Sequence, residues 1–152
     1  MSTATWIAAG HFIAAFALVA ALAMEWAWLR GRVDATVVNR LLRADALYGI
    51  CAAAVLAFGL LRVFAYEKPA TYYLHSLPFW AKLSLFALIG LMSIKSTIAF
   101  FAARKRARDD AAYFMPPVEV DALRRLIGSE LLLLPWLIIA ATLMAKGIGH
   151  FG

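Results

Sequence analysis

Charge is what this sequence has little of. Asp, Glu, Lys and Arg make up 16% of its 152 residues, against about a quarter in an ordinary soluble domain. Cysteine is nearly missing: Cys51 stands alone inside an apolar run. That excludes an intrachain disulfide and a thiolate zinc site, and leaves the thiol the role of a small hydrophobe. The three histidines are scattered, so zinc-ligand spacing is absent too. Glycine-rich phosphate loops and nucleophile–base pairs are also missing, as are internal repeats and low-complexity tracts.

What fills the chain instead is hydrocarbon. Hydrophobic residues account for 64% of it, with a mean hydropathy of +0.80. A helix needs about 20 apolar residues to cross ~30 Å of bilayer, and four runs meet that length: Thr5–Leu29, Ala44–Ala65, Phe79–Ala103 and Leu123–Ala145. The first carries an Ala21-Leu22-Ala23 stretch that imitates a signal-peptide cleavage site. No Lys or Arg precedes it and the run exceeds a signal core, so it is expected to be a retained helix. The expected fold class is all-α: a four-helix up-down transmembrane bundle, residues 1–152 forming a single integral membrane domain.

The net charge of +6 would suit a nucleic-acid partner, but the basic residues sit at the ends of the apolar runs. The partner they imply is the lipid bilayer, with no nucleic acid. Arg30, Arg32, Arg40, Arg43, Arg104, Lys105, Arg106, Arg108, Arg124 and Arg125 flank the first and third connections; Arg62, Lys68, Lys82 and Lys146 flank the other side. Ten against four places those two connections in the cytoplasm and both termini on the periplasmic side of a bacterial inner membrane.

Ionisable groups inside a bilayer are costly and normally face the bundle interior. Depth along the helices, at about 1.5 Å per residue, sorts them into two layers. The outer layer holds His11, Arg62 and Lys82 with Tyr73 at the interface, basic and aromatic without an acid at its depth. It suits an anion or a metal centre: a porphyrin with His11 on iron and Arg62 or Lys82 on propionates, or a quinone whose carbonyls accept from His11 and Lys82. The bland alternatives are snorkelling for Lys82 and Arg62, and a packed His11 bonded to a carbonyl. The inner layer holds Glu25, Asp45, Lys95 and Glu130, expected to form a structural charge network with Lys95 and Glu130 as an ion pair.

Several stretches carry a resemblance. Arg40-Leu-Leu-Arg-Ala-Asp45 leading to Tyr48-Gly49, Gly59-Leu-Leu-Arg62, Tyr72-Tyr73, Phe79-Trp-Ala-Lys82-Leu83, Ser93-Ile94 and Met144-Ala-Lys-Gly-Ile-Gly149 resemble an uncharacterised family of bacterial four-helix inner-membrane proteins. More distantly, Trp6-Ile-Ala-Ala-Gly-His11, Trp80-Ala-Lys82-Leu83 and Glu130 ahead of Pro135 resemble the HemJ-type protoporphyrinogen oxidases, four-helix membrane proteins that bind haem b. That resemblance implies His11 as the haem-associated histidine and Lys82 as the functional lysine. Two further histidines of that family correspond to Trp80 and Ser93 here, leaving Met92 as a substitute iron ligand.

The function these readings lead to is a haem- or porphyrin-binding membrane protein of redox type, with its ligand in the outer half of the bundle. The rival is a non-catalytic accessory or structural subunit, docked beside a larger membrane complex or joined in a homo-oligomer. A small transporter ranks below both, because no pair of broken helices is visible.

Overall fold

The computed structural model describes residues 2–66 and 74–149; Tyr73 and His150 lie outside the described residues. Among the described residues the fold has four long helices: α1 (Thr3–Trp28), α2 (Ala35–Leu61), α3 (Leu77–Asp109) and α4 (Pro117–Ala145), with a π-helical turn (Arg62–Tyr66) continuing α2. Each is long and apolar enough to cross a membrane.

The helices outrun the apolar runs that announced them, because hydropathy follows the bilayer whereas a helix follows its caps. α2 starts nine residues before Ala44, at the point where Asp34 accepts a 2.9 Å bond from the Val37 N–H, satisfying an end donor. α4 starts at Pro117, whose fixed φ and missing N–H suit the first helical turn. Ser2 caps α1 through the Thr5 N–H.

α1 packs mainly on α2, and α3 mainly on α4. The start of α1 lies beside the end of α2: a Cβ on Gly10 would come within 2.9 Å of the Phe58 ring. The start of α3 meets the chain just past α4, where the Leu77 N–H donates to the Gly149 carbonyl at 3.0 Å. At the other end the two connections are tied together. Asp34 bridges Phe114, and the Met115 N–H donates to the Val33 carbonyl at 2.9 Å. Arg106, in the last turn of α3, clasps Glu119, in the first of α4, through two bonds of 2.9 and 2.7 Å. This is called the basic end below. Tyr113 lies there outside the spans, and burial pushes its phenol above the ordinary tyrosine range.

The core is thin and apolar. Leu18, Ala21 and Leu22 of α1 meet Leu41, Tyr48 and Cys51 of α2, Phe100 of α3 and Ile127 of α4. Cys51 is buried as a free thiol. Large apolar side chains such as Ile13, Phe16, Ile50, Leu91, Leu132 and Ile138 cover the outside. In water such a surface would drive aggregation; in hydrocarbon it is the appropriate face.

Candidate functional site

His11 is the buried imidazole of α1, on the same stripe as Leu18, Leu22 and Glu25. It reaches α2 where Gly59 has no side chain: a Cβ there would stand 3.4 Å from His11 Cε1. Lys82, half-buried near the start of α3, approaches from the other helix pair. The two line one cavity of about 100 Å³, together with Val55, Val63, Phe79, Phe86 and Met144. Leu56, Leu60 and Leu83 complete its lining and are exposed on the bundle surface, so the cavity reaches the lipid side.

Sequence depth placed Arg62 in this group, but its guanidinium lies 5.9 Å over the exposed Phe12 ring and is not part of the cavity lining. Met92 is not in the lining either; Met144 is the thioether beside His11 and Lys82. The sequence signal for Met144 was its place in the Met144–Gly149 stretch, but nothing there pointed inward.

The inner layer differs from the expected network in its sign. Glu25, Asp45 and Glu130 are 1%, 8% and 0% exposed and lie within electrostatic reach of one another. Lys95 does not join them. It is exposed on the outside of α3, and both Glu130 oxygens lack a hydrogen-bond partner. Depth alone had matched the two; rotation about the helix separates them. Residues 95 and 97 are about 200° apart around α3, and Thr97 is the one facing inward. Thr97 Oγ1 donates to Asp45 Oδ1 at 2.8 Å, Tyr48 interacts with Ser93, and Ser96 Oγ is buried beside them in sequence without a partner. Hydroxyl groups of α3 therefore occupy the place expected for the ammonium. Serine and threonine at 93, 96 and 97 share one helical face, the signal from which they could have been read.

A porphyrin and a quinone make different demands on the outer cavity. Ligand pockets usually enclose ~300–1,000 Å³, and this cavity has about 100 Å³. A single ring needs less than a porphyrin but still more than this: a ~150 Å³ cavity holds benzene, so a ring here would extend past the open lipid side. Among the described residues, no three His, Cys, Asp or Glu side chains gather as ligands for a metal ion.

No curated protein and no solved structure matches the chain. A family's sequence model does match, over residues 3–149, covering all four helices from the first turn of α1 to the Gly149 contact. The chain belongs to the family described as predicted membrane protein (DUF2214), and with its four spans it is a multi-pass membrane protein.

Proposed function

We propose that this protein binds a lipid-soluble ligand of the quinone class in the cavity between α1, α2, α3 and α4. One observation carries the reading: an imidazole from α1 and an ammonium from α3 converge on a single apolar cavity that reaches the lipid-facing surface. Binding sites of this kind are mostly apolar, with few polar groups to fix orientation. His11 and Lys82 supply donors to ring oxygens, Phe79 and Phe86 supply aromatic walls, and an isoprenoid tail remains in the bilayer.

Haem b, with His11 on the iron as the HemJ-type resemblance implies and Lys82 beside a propionate, is the alternative; a cavity of about 100 Å³ favours the smaller ring. The basic end is assigned to the cytoplasmic face by its excess of Arg and Lys.

The test is a titration of the purified protein in lipid nanodiscs with a short-chain benzoquinone, followed by tryptophan fluorescence. Saturable binding is expected, weakened tenfold or more by His11→Ala and by Lys82→Met. A tenfold loss corresponds to about 1.4 kcal/mol, near the upper end of what one ordinary hydrogen bond contributes. Equal binding by wild type and both variants would sink the reading in favour of an accessory subunit. A Soret band in the purified protein, lost in His11→Ala, would replace the quinone with haem.

A further inference from the structure

At the basic end lies a second and larger cavity, of about 420 Å³, built from two separate stretches of chain: Leu29–Val33, and Phe114 through the start of α4 to Arg124. Its volume falls within the range of small-molecule sites. Leu29, Val33, Met115 and Val120, all buried, contribute its apolar lining. Arg30, Arg32 and Arg124 supply its cationic groups, with Asp121 as the single carboxylate among the lining residues.

The three guanidinium groups are held by aromatic rings. Arg30 stacks 4.0 Å above the Trp26 ring, and Arg124 lies 5.4 Å from the same ring. Arg32 stacks 4.2 Å above Phe114. Gly128 makes this possible on the α4 side, since a Cβ there would stand 3.2 Å from the Trp26 indole nitrogen. Stacking uses the face of a guanidinium and leaves its in-plane N–H groups available for a planar or tetrahedral oxyanion. Among the described residues the ion pair at this end is Arg106–Glu119, in which none of these three arginines takes part.

We infer that this pocket binds the phosphate of an anionic phospholipid headgroup. Three arginines with one nearby carboxylate recognise a phosphate. The apolar lining accepts the glycerol and first methylenes below it, and the position at the ends of α1 and α4 is the depth at which headgroups lie. Phe114 and Val118, both exposed, flank the pocket where acyl chains would run. Basic pockets between membrane helices are known to take lipid headgroups in this way. The site is independent of the cavity around His11.

The experiment is native mass spectrometry of the protein released from nanodiscs containing equal phosphatidylglycerol and phosphatidylcholine. Wild type is expected to retain phosphatidylglycerol over phosphatidylcholine by tenfold or more, and the Arg32→Gln/Arg124→Gln double variant to lose that preference. Arg43→Gln/Arg104→Gln, which removes two charges from the same end outside the pocket, is expected to keep it. Equal loss in both double variants would overturn the site, because only diffuse surface charge would then be acting. Should inorganic phosphate at millimolar concentration strip the retained lipid, the ligand is free phosphate and the lipid assignment fails. Thermal unfolding of each variant, expected within a few degrees of wild type, separates lost binding from lost fold.

Discussion

Thr97 and Asp45 are joined by a 2.8 Å hydrogen bond that crosses from α3 to α2 in the apolar interior. Thr97 Oγ1 also lies 3.1 Å from the Ser93 carbonyl, so its position is fixed by its own helix as well. Thr97→Val keeps the shape and removes the donor, leaving Asp45 without that partner. A loss of about 1–3 kcal/mol is expected, measured by thermal unfolding in detergent, while Thr97→Ser should lose less than half as much. A Thr97→Val protein as stable as wild type would show that the bond contributes nothing.

Glu130 offers the opposite case. It is fully enclosed, close to two other carboxyl groups, and neither oxygen is hydrogen-bonded. Glu130→Gln removes a potential charge at constant shape and is expected to leave stability unchanged or to raise it. Lys95→Met, on the outer surface, should change it by less than about 0.5 kcal/mol. The double substitution should equal the sum of the two within about 0.5 kcal/mol. A coupling above 1 kcal/mol would restore the ion pair that depth alone suggested.

The Arg106–Glu119 clasp has good bidentate geometry, but its side chains are 42% and 38% exposed. Arg106→Gln is expected to cost about 0.2–1 kcal/mol, the range for exposed pairs. That cost should shrink at high salt, where such pairs are screened. A loss of several kcal/mol insensitive to salt would mean that the clasp is buried in the membrane-bound protein.

Gly10 tests the α1–α2 packing without touching either cavity. A methyl group there would approach Phe58 Cζ at 2.9 Å, closer than carbon atoms tolerate. The ring must move or the helices part, and overpacking of this kind costs about 1–3 kcal/mol. Gly10→Ala should therefore lower the unfolding temperature, and Gly10→Ala with Phe58→Leu should recover part of the loss. No change in the single variant would show that the helices separate freely at this end.

The four helices were legible because a membrane helix writes its length in residue type. Helix ends were less so: Arg104 to Arg108 and Glu119 to Arg125 are polar yet helical, since caps and bonded turns extend beyond the hydrocarbon. Depth put His11 and Lys82 at one level, and both line one cavity. Depth also matched Lys95 with Glu130, but Lys95 is exposed on the outside of α3, because the angle around the axis decides which neighbour is met. The arginine pocket left no linear signature. Its parts come from two stretches far apart in the chain, which the Asp34–Phe114 bridge ties together.

The pairing of α1 with α2 and of α3 with α4 has a consequence for biogenesis. A ribosome delivers the first pair before the second exists, and each pair can enter the bilayer as its own folding unit. Yet His11 and Gly59 come from one pair and Lys82 and Met144 from the other, just as Glu25 and Asp45 come from one and Thr97 and Glu130 from the other. Neither nascent half carries the finished cavity or the finished acid cluster, so the proposed binding can begin only at the last docking event. Two fragments co-expressed with a break between residues 66 and 74 should therefore be inert apart and complement each other when they meet in the membrane.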